Sequence, residues 1–561
     1  MCESAGYGYV RPVTRRLLLG PMLRYVDGSS ATIWVQTSES CRVEVLGHSA
    51  RTFSIRGRYY ALVIVEGLQA GTTVEYEVHL DGERVWPEAG SEFPPSVIRP
   101  GCPDAAVTVL AGSCRASAPH EPPYTLELAR DEDGRGVDTM WAHGKRMMHE
   151  DPSQWPTVLL LVGDQIYADD SSPRTRERIE QFRDEECDLP SEIVATFEEY
   201  CWLYSEAWSP AVERWMLSVV PSMMIFDDHD MIDDWNISDT WVHDLSAEPW
   251  WRDHTVGGLM SYWLYQHLGN LAPSEIRREG LLEQLLAVDD GSELLECWAE
   301  RAAAGTTDGG GYRFSYTRTV GELRIVVIDS RTARQLDPNH RRMVAENEWE
   351  WIRHAALDRT RPGRHVVLAT SLPVFVADGL HDLEVWSELV CNGRWGKRFV
   401  ARAERIRRAL DLEDWPAFAA SYDLFVGLIR ELVTSPQPPD TVIVVSGDIH
   451  FSYTADVPLG SARTRVHQVV SSPIRNALVP HERGAMRTTL TPAGRRIGAV
   501  LRWLARGPST APHIDVTSGP YFSNNMCQLH YAGSDVAVTV EHSTSQDDDG
   551  PTLSEVARVQ L

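Results

Sequence analysis

Four short clusters of metal-capable side chains stand far apart in this 561-residue sequence. They are Gly112-Ser113-Cys114, Gly163-Asp164-Gln165-Ile166-Tyr167-Ala168-Asp169, Asp227-Asp228-His229-Asp230-Met231-Ile232-Asp233-Asp234 and Gly447-Asp448-Ile449-His450-Phe451-Ser452. Pooled, they offer carboxylates, imidazole, a phenol and a thiol. A thiolate and a phenolate suit a strongly Lewis-acidic, redox-capable ion, whereas the carboxylates suit a harder divalent ion. A site for two unlike metals follows from that mixture. Such a pair would supply hydroxide at neutral pH and stabilise both the attacking and the leaving oxygen of a phosphoryl transfer.

The clusters need elements that bring them together. Apolar runs at 107–114, 157–164, 223–227, 323–329, 366–370 and 441–448 read as strands of an α/β layered domain, buried on both faces. Ligands of an open α/β sheet gather at the carboxyl ends of its strands, which is where this chain keeps most of its clustered acids. A glycine before the acid lets backbone and carboxylate approach an ion. If the last strand continues past Asp448, then Asp448 and His450, two apart, share one face. Helical patterns lie at 192–208, 256–268, 281–304 and 347–357. Upstream, 17–87 is a series of short strands with an Asp81-Gly82 turn signal, and reads as a small immunoglobulin- or fibronectin-like β-sandwich. The expected division is a sandwich and linker over 1–100 and a catalytic domain over 101–561 with insertions and an arginine-rich helical and strand extension.

Composition bounds the partners. The chain is 43% hydrophobic and 24% charged, enough to bury a large core, and its net charge of −27 argues against a general nucleic-acid surface. One segment is an exception: 475–506 holds seven arginines and a single acid, Glu482. Three roles fit it: a solvated helix face, a lid that draws in anionic substrate, or a weak anionic-membrane contact. No apolar run reaches the length of a membrane span. Arg15-Arg16 before Leu17-Leu18-Leu19 has the look of an export signal, but the apolar stretch stops at Arg24 and no small-residue cleavage site follows, so an edge strand is expected. Nine scattered cysteines with no CxxC make no disulfide framework, and a cytoplasmic setting is the expectation.

The ordered clusters resemble the alkaline phosphatase D (PhoD-like) family of the calcineurin-like metallophosphoesterase superfamily. The resemblance rests on Ser113-Cys114, GDQIYAD at 163–169, DDHDMIDDW at 227–235, Asp329-Ser330-Arg331 after a strand, and GDIHFS at 447–452. It implies an αββα domain behind a β-sandwich. The implied activity is hydrolysis of phosphate mono- or diesters, with a small-molecule phosphate ester as partner, by in-line attack of a metal-bound hydroxide. The implied cofactor is a dinuclear or multinuclear site of Fe3+ with Ca2+. Carried over, Cys114, Asp164, Tyr167 and His450 would hold iron. Asp164 would bridge to a second metal completed by Asp228, Asp233 and Asp448. The family often has Asn where this chain has Asp233 or Asp234, which leaves the choice between them open. His229 would meet the phosphate or the leaving oxygen, and Arg331 and Arg115 would hold phosphate. Three alternatives stand beside this reading: a phospholipase-D-like diesterase at membranes, a hydrolase of non-phosphate esters, and a non-catalytic phosphate-ligand-binding protein.

Overall fold

The computed structural model describes residues 15–183, 189–308, 311–358, 363–478, 480–508, 512–546 and 550–561. Ten strands open the described chain: β1 (Leu17–Val26), β2 (Ser30–Thr37), β3 (Arg42–Val45), β4 (His48–Arg51), β5 (Phe53–Ile55), β6 (Arg58–Glu66), β7 (Val74–Glu75), β8 (Val78–Leu80), β9 (Glu83–Trp86) and β10 (Val97–Ile98). Sheets β1-β2-β6-β5 and β4-β3-β8-β9 enclose a core that includes Ile33, Val35, Val43, Val45, Val63, Val65, Val78 and Leu80. This is the expected sandwich. β1 is its edge strand, so the leucines after Arg16 are absorbed by the sheet. Asp81 and Gly82 both have positive φ, 49° and 88°, as a two-residue hairpin between β8 and β9 requires.

The rest of the chain supplies two further sheets. The first contains β11 (Val107–Gly112), β12 (Val158–Val162) and β13 (Ser222–Ile225), all parallel, and is extended antiparallel by β21 (Asn525–Ala532), β22 (Asp535–Gln546) and β23 (Gly550–Gln560). The second runs β14-β15-β16-β17-β19-β18-β20, comprising β14 (Tyr316–Val320), β15 (Leu323–Ile328), β16 (His365–Thr370), β17 (Thr441–Ser446), β18 (Ser452–Asp456), β19 (Arg465–Val470) and β20 (Asp515–Tyr521). In it β15, β16, β17 and β19 are parallel.

Strand alternation explains the layering. Val158, Leu160 and Val162 of β12 pack with Ile325 and Val327 of β15 and with Ile443 and Val445 of β17, between the sheets. The intervening Leu159 and Leu161 face one helical layer, while Val366, Leu368, Val442 and Val444 face another. Both faces of the central parallel strands are therefore buried, and those strands are apolar without a polar alternation, whereas the outer strands β20 and β23 are largely exposed or half-buried.

Helices depart from expectation in several places. The pattern at 281–304 divides into Leu281–Leu286 and Ser292–Asp308, because the Asp290 carboxylate accepts the Ser292 N–H at 3.1 Å and starts a new helix. Helices Asp378–Cys391, Lys397–Ala409 and Ala419–Thr434 connect β16 to β17 and were not read from the sequence. In Lys397–Ala409 only Ala403 and Arg407 are buried, too few to print an apolar period. No described helix is long and apolar enough to cross a membrane.

Candidate metal centre

The acids converge at the carboxyl ends of the parallel strands. β11 delivers Ser113 and Cys114, β12 delivers Gly163 and Asp164, β13 leads to Asp227 and the turn Asp228–Asp230, and β15 leads to Asp329-Ser330-Arg331. β17 stops at Ser446. The condition under which Asp448 and His450 would share one strand face is therefore not met: Gly447 to His450 form a tight turn, with His450 N–H donating to the Asp448 carbonyl at 2.6 Å and both residues at positive φ, 66° and 54°. Cys114 is also left-handed, at φ 57°. Three non-glycine residues in that region at the ends of neighbouring strands mark local strain held by the surrounding sheets.

The glycines earn their positions sterically. A Cβ on Gly447 would lie 2.1 Å from Ser113 Oγ, and one on Gly163 would lie 2.8 Å from Asp227 Oδ2. With no side chain there, Ser113 Oγ accepts the Asp448 N–H at 3.2 Å and lies 3.2 Å from Cys114 Sγ, tying two strand ends together.

One ligand atom each from Asp164, Asp228 and His229 lies within 4.8 Å of the others, and the same holds for Asp227, Asp228 and Asp448. Asp228 belongs to both groups. Asp164 is 1% exposed, and neither of its carboxylate oxygens has a hydrogen-bond partner. Asp227 Oδ2 is likewise buried and unpartnered. Burial, and then Asp227, push the Asp164 carboxyl well above the usual range; burial, then Asp227 and Asp228, do the same to Asp448. Burial followed by the nearby Asp164 and Asp448 charges also raises the Cys114 thiol, and burial with Asp164 and Cys114 raises the Tyr167 phenol. Crowded buried acids, with Asp164 lacking any hydrogen-bond partner, are what a bound cation would relieve. The donor set fits metal ions: oxygen-only ligands at Asp227, Asp228 and Asp448, and a thiol, a phenol and imidazole nearby.

The other expected residues fall in different places. The Tyr167 ring lies against the His229 ring, centroids 4.5 Å apart. His450 is close enough to His229 and Asp228 to feel both charges, and burial followed by the His229 charge lowers it to about 4. His229 is held by Asp169, whose Oδ1 is 2.8 Å from Nδ1. Asp233 stands at the rim with its side chain 63% exposed and 3.7 Å from His229 Nε2. Asp234 is buried, has an unpartnered Oδ1, and donates its N–H to Asp228 Oδ2 at 3.0 Å.

Both arginines differ from the phosphate-holding role. Arg331 is fully buried and ion-pairs with Asp227 at 2.6 Å, Asp228 at 3.1 Å, Asp448 at 3.3 Å and Glu413. It is the fixed counter-cation beneath the acids. Arg115 points away: its donors go to Asp138 at 2.8 Å, Glu213 at 2.9 Å and the Ala207 carbonyl at 2.8 Å. The left-handed turn at Cys114 sends the next side chain to the far side. Asp138 and Glu213 with His120 form a third acidic group, but Arg115 already occupies it as the cation. Asp169 and Glu413 are working parts that had not been assigned roles; Asp169 was visible as the last residue of GDQIYAD, whereas Glu413 carries no signal, since it follows a charged helix and closes no strand.

Residues 14–98 match a family described only as a domain of unknown function (DUF7800). No curated protein matches the sequence. A solved structure titled "Structure of PhoD" superposes with a TM-score of 0.56 at 11% identity, covering 97% of this chain and 90% of that one. The chain has the fold of PhoD. A purple acid phosphatase, PPD1 from yellow lupin (Lupinus luteus) seeds, gives a TM-score of 0.46 at 12% identity, over 96% of this chain and 73% of its own. The order of the layers, a β-sandwich followed by paired sheets with helices outside, is the one that the resemblance implied.

Proposed function

We propose that this protein is a metal-dependent phosphoesterase that hydrolyses phosphate mono- or diesters at the acidic centre. The observation that carries the reading is Asp164, buried with both oxygens unpartnered, set among Asp227, Asp228 and Asp448 at the carboxyl ends of parallel strands in two sheets. In this reading Cys114, Tyr167, His450 and Asp164 would hold an iron(III) ion, and Asp164, Asp228 and Asp448 a calcium ion, while Asp233, 63% exposed at the rim, departs from the set the resemblance implied. Such a pair, when bound, supplies Lewis acidity for the phosphoryl oxygens and an activated water.

The chain's own residues do the rest. Arg331 keeps the acids from repelling one another apart while leaving their outer oxygens for ligands. Asp169 accepts from Nδ1 of His229, which fixes the ring and leaves Nε2 to face the substrate. Although burial opposes its charge, the Asp169 carboxylate holds the His229 imidazolium well above its ordinary range. Nε2 then carries a proton for the departing alkoxide.

The test pairs metal content with turnover: the purified protein is assayed for iron and calcium, and for hydrolysis of bis-nitrophenyl phosphate against nitrophenyl phosphate, beside Asp164→Asn. Activity that disappears in the variant supports the reading, and the preferred ester separates diesterase from monoesterase. Metal-replete protein inert to both esters would overturn it.

A further inference from the structure

The helix Pro492–Leu504 leaves its apolar face uncovered by any described residue. Ile497 is 58% exposed, Val500 54%, Trp503 74% and Leu504 49%, positions three and four apart that share one face. Its opposite side packs on helix Asp378–Cys391, where Arg495 pairs with Asp378 and Arg502 with Asp382. Helix Lys397–Ala409 flanks the same support, and Trp395 joins the two by donating its indole N–H to the Leu504 carbonyl at 3.3 Å. That second helix is strongly basic. Lys397, Arg398, Arg402 and Arg405 are exposed and, like Arg394, Arg496 and Arg506, make no ion pair among the described residues. An apolar strip bordered by unpaired cations stands out on a chain whose net charge is −27.

We propose that this surface docks on an anionic lipid bilayer, with Ile497, Val500, Trp503 and Leu504 in the headgroup layer and the flanking arginines on lipid phosphates. Charge complementarity selects that occupant. A second copy meeting the same face would set these cations against their own counterparts. A nucleic acid would satisfy the arginines and leave the aliphatic strip in water. An interfacial helix needs both parts, an apolar face with an aromatic and a cationic border.

Flotation of the full chain with phosphatidylcholine vesicles, with and without about 30% phosphatidylserine, tests this. The expected result is partitioning at least about tenfold stronger on the anionic vesicles, weakened at high salt. Trp503→Ser with Val500→Ser should abolish it, and Arg398→Glu with Arg402→Glu should remove the preference for anionic lipid. Turnover of a soluble chromogenic ester serves as the folding control and should stay unchanged in both. Equal binding to neutral vesicles, no binding, retention by the serine variant, or a concentration-dependent dimer that the serine substitutions dissolve would each overturn the proposal.

Discussion

Asp169 Oδ1 lies 2.8 Å from His229 Nδ1, and the other oxygen of that carboxylate accepts the Asp233 N–H at 2.6 Å. One side chain thus orients the imidazole and anchors the loop beyond it. If His229 protonates the leaving oxygen, its loss matters most for poor leaving groups. We expect His229→Ala to lower kcat by about 10²–10³ on alkyl phosphate esters and much less on nitrophenyl esters. Asp169→Asn should give a smaller loss of the same kind, about tenfold, with KM little changed. The check is the slope of log kcat against leaving-group pKa, which should steepen in both variants; an unchanged slope would remove His229 from proton transfer.

Asp164 is a burden to the metal-free fold. A carboxylate whose pKa is raised on folding destabilises the folded state above its unfolded value near 4, because the chain must either carry an unfavourable buried charge or bind a proton. Asp164→Asn should therefore raise the stability of chelator-treated protein by about 1–2 kcal/mol while abolishing activity and most metal binding. Metal should stabilise the wild type and leave the variant nearly unmoved. Thermal melts of both proteins with and without metal read this directly, and a less stable metal-free variant would count against the orphaned-carboxylate account.

The sequence exposed the acids for a physical reason and hid their partners for another. Cys114, Asp164, Asp227 and Asp448 each follow an apolar strand, and a polar group at such a boundary has little reason to be there unless the strand end is used. Arg115 and Arg331 show the limit of that logic. Both follow strands, yet a single left-handed residue at Cys114 reverses the direction of Arg115, and Arg331 is consumed by four carboxylates. The turn at Asp448 escaped a strand-period argument because Gly447 and Ser113 interlock only in three dimensions. The lid role considered for 475–506 meets a divided segment: Arg475 is buried and bonded to the carbonyls of Gly136, Ala118, Pro119 and Tyr124, whereas Arg483 lines the cleft that contains His450.

Three buried histidines predict the acid limb of stability. Burial lowers His143 and His267 to about 3 and His254 to about 4. At pH above about 6.5 they are neutral in both folded and unfolded chains, and their contribution is complete. As pH falls from there toward the folded values, the unfolded chain takes up protons first and stability is lost, about 2 kcal/mol for each by pH 5. His267, whose Nε2 is 3.0 Å from the Tyr312 hydroxyl, lies outside the metal centre and isolates the effect. Metal-free His267→Gln should lose less stability than wild type between pH 7 and pH 5 in urea titrations. Parallel losses would assign the acid limb to other groups.

The interlock of Gly447 with Ser113 sets the last expectation. A methyl at position 447 would meet Ser113 Oγ at 2.1 Å, Ser113 Cβ at 2.3 Å and the Val162 carbonyl at 2.9 Å, so the serine must move. Moving it withdraws the hydroxyl from the Asp448 N–H and from Cys114. Gly447→Ala should cost about 1–3 kcal/mol and weaken metal binding. Ser113→Gly alone should cost less, since it loses hydrogen bonds without a clash. In the double variant the space vacated at 113 admits the methyl, and only the contact with Val162 remains. Stability of the pair should therefore be higher than the sum of the single losses predicts, by about 1 kcal/mol. Additive losses would mean that the two residues do not share the contact, and the close approach of β11 and β17 at the metal centre would need another cause.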